Sequence, residues 1–141
     1  MSEEKNKVNV KNDGEACMRS PVWRQSLPRT FFNACVGFFA AVRTQRNMRL
    51  HLLSVIVVVA AGIYLGISAG EWMAIAVSCA MVTSAEVMNT AVETVVDLVS
   101  PQYNILAKQA KDYAACAVLI ASAGALVVGG VVFIPKIVRL F

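Results

Sequence analysis

The segment from Ser84 to Val99, SAEVMNTAVETVVDLV, carries three carboxylates and one amide in surroundings that are otherwise apolar enough to cross a membrane. An α-helix turns by about 100° per residue, so Glu86, Asn89, Glu93 and Asp97 would share one face about 80° wide. A charge at the centre of a bilayer costs on the order of 3 kcal/mol, and such residues therefore face other helices, a cation or a wet cavity. The stripe predicts a functional site inside a membrane helix.

Two kinds of chemistry suit carboxylates at a membrane face. One is holding Mg²⁺, which takes hard oxygen ligands and commonly uses one or two carboxylates together with nucleotide phosphates. The other is conducting or coupling a cation, as in a small oligomeric channel or transporter. The segment that follows favours the nucleotide, because a lysine near acidic metal ligands can neutralise phosphate. That segment supplies Gln102, Asn104, Lys108, Lys111 and Asp112. The channel remains open as an alternative, and a purely structural polar seam is a third.

The composition indicates the elements that must position these residues. The chain has 141 residues, of which 57% are hydrophobic and 16% charged, against about a quarter charged in soluble domains. Its mean hydropathy is +0.61. Three apolar runs, at about 52–69, 72–99 and 113–134, each reach the ~20 residues that a spanning helix needs. We expect an integral membrane protein with three transmembrane helices.

The residues before the first span predict a surface helix and an orientation. Residues 28–49 combine phenylalanines and arginines at helical spacing, which is typical of an amphipathic helix in the headgroup layer. Residues 1–25 are polar and mixed in charge, which predicts a disordered tail and no secretory signal. Basic residues favour the cytoplasmic side. Apart from Lys136 and Arg139 at the C-terminal end, they lie before His51 and at 101–112, so we expect a cytoplasmic N-terminus. We expect no nucleic-acid partner for such a membrane protein.

Two motifs carry a resemblance to a known family. EVMNTAVETVVD, Glu86 to Asp97, followed by AKQAKDYAACAV, Ala107 to Val118, resembles the signature of the small prokaryotic diacylglycerol kinase / undecaprenol kinase family. The resemblance covers about residues 28 to 138. It implies an all-α integral membrane fold, with three transmembrane helices per chain preceded by an amphipathic surface helix, assembled as a homotrimeric helical bundle. Residues 26–141 would form this lipid-kinase domain, in the bacterial cytoplasmic membrane.

The resemblance also implies the activity and the role of each residue. The γ-phosphoryl group of Mg-ATP would pass to a lipid alcohol, with Glu86 as general base and Asn89 orienting that base or the hydroxyl. Glu93 would bind the metal, and Asp97 would support that end of the site. Arg49 and Ala115 would contact the lipid together with Glu86. The residues implied for ATP are Arg29, Asn33, Gln102, Tyr103, Asn104, Lys111 and Asp112.

The sequence departs from the family at one position. Gln45 stands where the family has a glutamate that is a second metal ligand, so metal affinity is expected to fall. The NTAxE form, the RTxRNxRxH segment and the terminal FIPK resemble the Gram-positive branch, which implies undecaprenol as substrate, with diacylglycerol as the alternative. His51, the single histidine, is expected to be an interfacial residue without a chemical role.

Overall fold

The computed structural model describes residues 26–140, and the predicted N-terminal tail lies outside these residues. The chain divides into two units, Met1–Val36 and Gly37–Phe141. The described residues form four α-helices and no strand: α1 (Leu27–Thr44), α2 (Arg46–Tyr64), α3 (Ala69–Val99) and α4 (Ile105–Val138). The last three are long and apolar enough to cross a membrane. The predicted all-α membrane fold is thereby confirmed.

The boundary between the first two helices is a backbone break. Residues 28–49 were expected to form one surface helix, but Gln45 adopts an extended conformation, with φ −99° and ψ 122°. The chain therefore leaves α1 at Thr44 and starts α2 at Arg46, so that residues 46–49 open the first span. Phenylalanines 31, 32 and 39 of α1 are exposed, as the amphipathic pattern requires for contact with a lipid surface.

A tight turn with paired backbone groups joins α2 to α3. Gly66 takes a positive φ of 60°, which a glycine adopts without a steric penalty at the end of a helix. Ser68 and Glu71 then cap α3 reciprocally. The Ser68 hydroxyl accepts from the Glu71 amide at 3.4 Å, and the Glu71 carboxylate accepts from the Ser68 amide at 2.6 Å. This capping box fixes where α3 begins.

The connection from α3 to α4 is equally short. Pro101 disfavours helical geometry in the residue before it, and Ser100 accordingly leaves the helix at φ −133°. Asn104 then caps α4, accepting from the amides of Leu106 and Ala107 at 2.8 and 3.4 Å. The helix thus begins eight residues before the predicted apolar span at 113. Because α4 has 34 residues, its length of about 50 Å exceeds the ~30 Å hydrocarbon layer.

The main packing interface lies between α3 and α4, and α3 also packs against α2. A small core of Ile67, Ile75 and Val132 lies near the α2–α3 turn. Lys136 near the end of α4 pairs there with Glu71 at 3.2 Å. Many large apolar side chains remain exposed on the spans, including Leu53, Ile56 and Leu126. Such surfaces suit lipid or a neighbouring subunit.

Candidate active site

Glu86 and Asn89 lie in the interior of α3, one turn apart. With 2% and 6% of their surface exposed, they are the only polar or charged side chains buried among residues 26–140. Burying a carboxylate is costly unless it is paired or used. The packing of α3 against its neighbours therefore keeps Glu86 and Asn89 away from lipid, where exposing them would cost free energy, as the helical stripe predicted.

A cavity of about 240 Å³ opens onto these two side chains. α2 contributes Asn47 to its wall, and α4 contributes Ala115, Val118, Leu119 and Ser122. The cavity is thus formed by all three spanning helices. Of the predicted lipid-contacting residues, Ala115 lies in this wall with Glu86, whereas Arg49 is exposed and does not line the cavity.

Asn89 connects the cavity to the next carboxylate along the stripe. Its side-chain nitrogen donates to Glu93 Oε1 at 3.2 Å, so the amide is directed toward Glu93 rather than Glu86. Its oxygen Oδ1 is buried and has no hydrogen-bond partner within the described residues. A buried acceptor of this kind normally has a partner. Asn89 thus orients Glu93, and its own oxygen is an unsatisfied acceptor within the described residues.

The end of the stripe meets the start of α4 through one ion pair, and a second ion pair lies within α4. Lys111 Nζ contacts Asp97 Oδ1 at 2.5 Å, and Lys108 Nζ contacts Asp112 Oδ2 at 3.3 Å. Asp97 lies 11 residues beyond Glu86, or about 16 Å along the axis of α3. All four side chains are at least one-third exposed, so this end of the site is open to a soluble ligand. The structure thus brings Lys111 to the acidic end of α3, and Asp112, the next residue, pairs within α4.

Two of the three loop residues predicted for nucleotide contact make hydrogen bonds within the connection from α3 to α4. The backbone oxygen of Gln102 accepts from the Ser100 hydroxyl at 3.1 Å, and the Asn104 side chain caps α4. Tyr103 is 83% exposed. Arg29 and Asn33 lie on α1 in the unit that ends at Val36. Gln45 is half-buried at the start of α2, and its side chain makes no capping bond.

The donor set at this end fits a metal carried by a nucleotide. No group of three His, Cys, Asp or Glu side chains within residues 26–140 could hold a metal ion. Mg²⁺ keeps most of its ligands from water and phosphate and needs only one or two protein carboxylates. Glu93, half-buried and oriented by Asn89, supplies one such carboxylate. The residues therefore fit Mg²⁺ bound together with phosphates.

A second cavity, of about 300 Å³, lies deeper between the same three helices. Three of its four hydroxyl-bearing residues donate to backbone oxygens of their own helices: Ser54 to Leu50, Ser78 to Ala74 and Thr83 to Cys79, at 2.7 to 3.0 Å. The remaining wall is largely aliphatic. Ser122 lines both cavities, so the two cavities adjoin each other. We call the first cavity, which Glu86 lines, the chamber, and the second, largely aliphatic cavity the apolar slot.

Most of the lining residues, including three polar side chains that line one or both of the cavities, were not among the predicted site residues. Asn47 and Ser122 border Glu86, and His51 lines the apolar cavity instead of lying only at the interface. A signal was present for α2, because Asn47, His51 and Ser54 recur at a helical period. No comparable signal marks Ser122 within its apolar run, and only the packing of α4 on α3 shows its place.

Comparisons with known proteins identify the family. The family model described as prokaryotic diacylglycerol kinase matches residues 32–133. A diacylglycerol kinase of Synechocystis is 38% identical over 126 residues, covering 87% of this chain and 72% of the relative. An undecaprenol kinase of Bacillus subtilis is 35% identical over 109 residues, covering 77% and 89%. A diacylglycerol kinase of Pseudomonas aeruginosa is 33% identical over 85 residues, covering 60% and 69%.

The chain belongs to the prokaryotic diacylglycerol kinase family. The predictions of the family and of a multi-pass membrane lipid kinase are confirmed. A kinase of this family implies ATP as the co-substrate.

Proposed function

We propose that this chain transfers the γ-phosphoryl group of ATP to the hydroxyl of undecaprenol, with Glu86 as the general base. The observation that carries the proposal is the burial of Glu86 at 2% exposure, beside a chamber that adjoins an apolar slot. A membrane alcohol presents a hydroxyl at one end and a hydrocarbon chain at the other. The chamber suits the hydroxyl and the slot suits the start of the chain.

In the proposed reaction, a Glu86 carboxylate oxygen accepts the hydroxyl proton while the lipid oxygen attacks the γ-phosphorus. The bond from that phosphorus to the bridging oxygen breaks, and ADP leaves with the bond's electron pair. The hydroxyl has one proton, which must point to Glu86, so Asn89 would help to orient the hydroxyl by lining the cavity beside it and by donating to Glu93. Phosphoryl transfer depends chiefly on positioning and charge neutralisation, and both follow from this arrangement.

The nucleotide would bind at the open end of the stripe. Lys111 would exchange its contact with Asp97 for a phosphate oxygen, and Asp112 would contact the nucleoside, together with the loop residues 102–104. The family resemblance also implies ATP contacts for Arg29 and Asn33 and a lipid contact for Arg49. Glu93 would hold Mg²⁺, which neutralises phosphate charge when bound. Gln45 offers a carbonyl oxygen in place of the family's second carboxylate, so we expect weak metal binding.

The choice of undecaprenol rests on the resemblance of the RTxRNxRxH, NTAxE and FIPK segments to the Gram-positive branch. A relative called undecaprenol kinase is aligned over 89% of its own length. Diacylglycerol is the alternative, since two other relatives carry that name. The slot of about 300 Å³ would take only the first part of either hydrocarbon chain, and the remainder would lie in the bilayer.

We also propose that the acidic end of α3 faces the cytoplasm of a bacterial cell and that the protein is a homotrimer. Arg43, Arg46 and Arg49, with the lysines that open α4, support this orientation by the bias of basic residues. Exposed apolar side chains on all three spans support subunit contacts. Mixing Glu86→Gln with Lys111→Met subunits tests whether sites are shared, because shared sites would restore transfer in mixed oligomers.

The direct test is transfer of labelled phosphate from ATP in the presence of Mg²⁺, with undecaprenol and diacylglycerol offered in parallel in detergent micelles. Glu86→Gln should abolish transfer because the base is removed at nearly constant volume. Glu71→Gln is the matched control: it neutralises a carboxylate at the opposite end of the same helix and should retain transfer. Faster transfer to diacylglycerol would refute the choice of lipid. Retained transfer in Glu86→Gln would refute the assignment of the base.

A further inference from the structure

Ser122 is the residue that the chamber and the apolar slot have in common. It is half-buried in the interior of α4. The other residues that α4 contributes to the two cavities are non-polar: Ala115, Val118, Leu119, Ala125, Leu126 and Gly129. Within the part of the chain that the structure describes, the Ser122 hydroxyl is therefore the one polar group that α4 places at the boundary between the cavities.

The Ser122 hydroxyl differs from the other hydroxyls of these cavities in its hydrogen bonding. Ser54, Ser78 and Thr83 each donate to the backbone oxygen four residues earlier, which is a common way for a helix to satisfy a hydroxyl. The Ser122 hydroxyl makes no hydrogen bond to any of residues 26–140. A polar group removed from water without a partner costs free energy. This hydroxyl is thus free to donate to a bound molecule.

The position of Ser122 indicates which part of the lipid its hydroxyl would meet. In the proposed complex the reacting hydroxyl lies beside Glu86 in the chamber and the hydrocarbon chain begins in the slot, so Ser122 borders the atoms between them. In undecaprenol these atoms are hydrocarbon. In a diacylglycerol they include an acyl ester, whose carbonyl oxygen accepts hydrogen bonds. Asn47, the donor that α2 contributes to the chamber, does not line the slot.

We infer that Ser122 is a specificity-determining residue for the lipid: its hydroxyl donates a hydrogen bond to the ester carbonyl oxygen of an acylglycerol. This inference deepens the proposed function and rests on it, because it requires a lipid alcohol bound with its hydroxyl beside Glu86. The contact stabilises a bound acylglycerol and offers nothing to a polyprenol. Ser122 therefore narrows the preference of the site between the two classes of lipid alcohol.

The test compares diacylglycerol with a dialkylglycerol of the same chain lengths, in which ethers replace the esters and the carbonyl oxygens are absent. Both lipids are offered at equal mole fraction in mixed micelles, with undecaprenol in parallel. The unsubstituted protein should show a kcat/KM about 2- to 10-fold higher for the ester than for the ether, the range that one neutral hydrogen bond gives. Ser122→Ala should remove this difference and leave the ratio of undecaprenol to dialkylglycerol as it was.

These ratios separate a lost contact from a damaged protein, because damage lowers transfer to all three lipids alike. Ser84→Ala is the matched control: it removes an exposed hydroxyl of α3 that lines neither the chamber nor the slot, and it should retain the preference for the ester. An ester preference that survives Ser122→Ala would overturn the inference. So would the absence of that preference in the unsubstituted protein, a result that depends on the folding of no variant. Absence of transfer by the unsubstituted protein to any of the lipids would instead overturn the proposed function.

Discussion

Replacing Gly62 by alanine should destabilise the protein by steric overlap at the end remote from Glu86. A Cβ at this position would lie 2.8 Å from Trp72 Cη2, 3.1 Å from Trp72 Cζ2 and 3.0 Å from Ile67 Cδ1. Carbon atoms in good contact are about 3.5–4.0 Å apart. The indole is a rigid group held against the core of Ile67, Ile75 and Val132, so relief requires that α2 and α3 move apart.

The magnitude follows from two opposing effects. Forcing an extra methyl group into a packed interior costs about 1–3 kcal/mol. Alanine in place of glycine within a helix recovers about 0.8–1 kcal/mol of backbone free energy. The net loss for Gly62→Ala is therefore about 0–2 kcal/mol in the free energy of unfolding. Because the two effects partly cancel, the variant must be compared with a glycine that lacks the steric contact.

Gly124, inside α4, provides the matched control, since a Cβ there meets no atom within 4 Å. Gly124→Ala carries the same backbone gain, so the difference between the two variants isolates the overlap, at about 1–3 kcal/mol. The assay is equilibrium unfolding by SDS in mixed micelles, followed by helical circular dichroism. A Gly62→Ala protein as stable as Gly124→Ala would refute the close packing of α2 on Trp72.

Three further predictions concern the cap and the nucleotide end. Ser68→Ala should lower the free energy of unfolding by about 1 kcal/mol, the usual cost of a lost N-cap. Phosphate transfer should not change, because the cap lies at the opposite end of α3 from the site, and a loss of transfer would refute this expectation. Lys111→Met should raise the KM for ATP about tenfold or more, because a hydrogen bond to a charged group contributes about 1.5–3 kcal/mol. Lys108→Met should change it less, and equal effects would refute the specific role. Gln45→Glu should lower the Mg²⁺ concentration that gives half-maximal transfer, and an unchanged requirement would show that residue 45 does not reach the metal.

The sequence predicted that three membrane-spanning helices exist, but it did not predict the residues at which these helices begin and end. Apolar runs mark the part of a helix that lies in lipid, but a helix continues into water when its caps and ion pairs allow it. Asn104 caps α4 well before Tyr113, and the Lys108–Asp112 pair lies within these additional helical turns. Gln45 breaks the expected surface helix. Nothing in the amphipathic pattern of residues 28–49 marks that position, because the hydrophobic period continues across it.

The carboxylate stripe shows how far local periodicity reaches. Its common face follows from the helical repeat alone, and the motif around Glu86 was sufficient for the family. The repeat could not show that Asn89 donates to Glu93 rather than to Glu86, because both partners lie within one turn of it. The choice between them depends on side-chain rotamers and on what α2 and α4 place against that face.

By itself the sequence determined a membrane protein with three spans and a buried acidic face, since these features depend on composition and on a period within one helix. Only the tertiary structure decided which residues of other helices meet that face. Asn47 and Ser122 are far from Glu86 along the chain, and their approach depends on how α2 and α4 pack on α3. Such contacts join distant segments through packing, and no local repeat in the sequence encodes them.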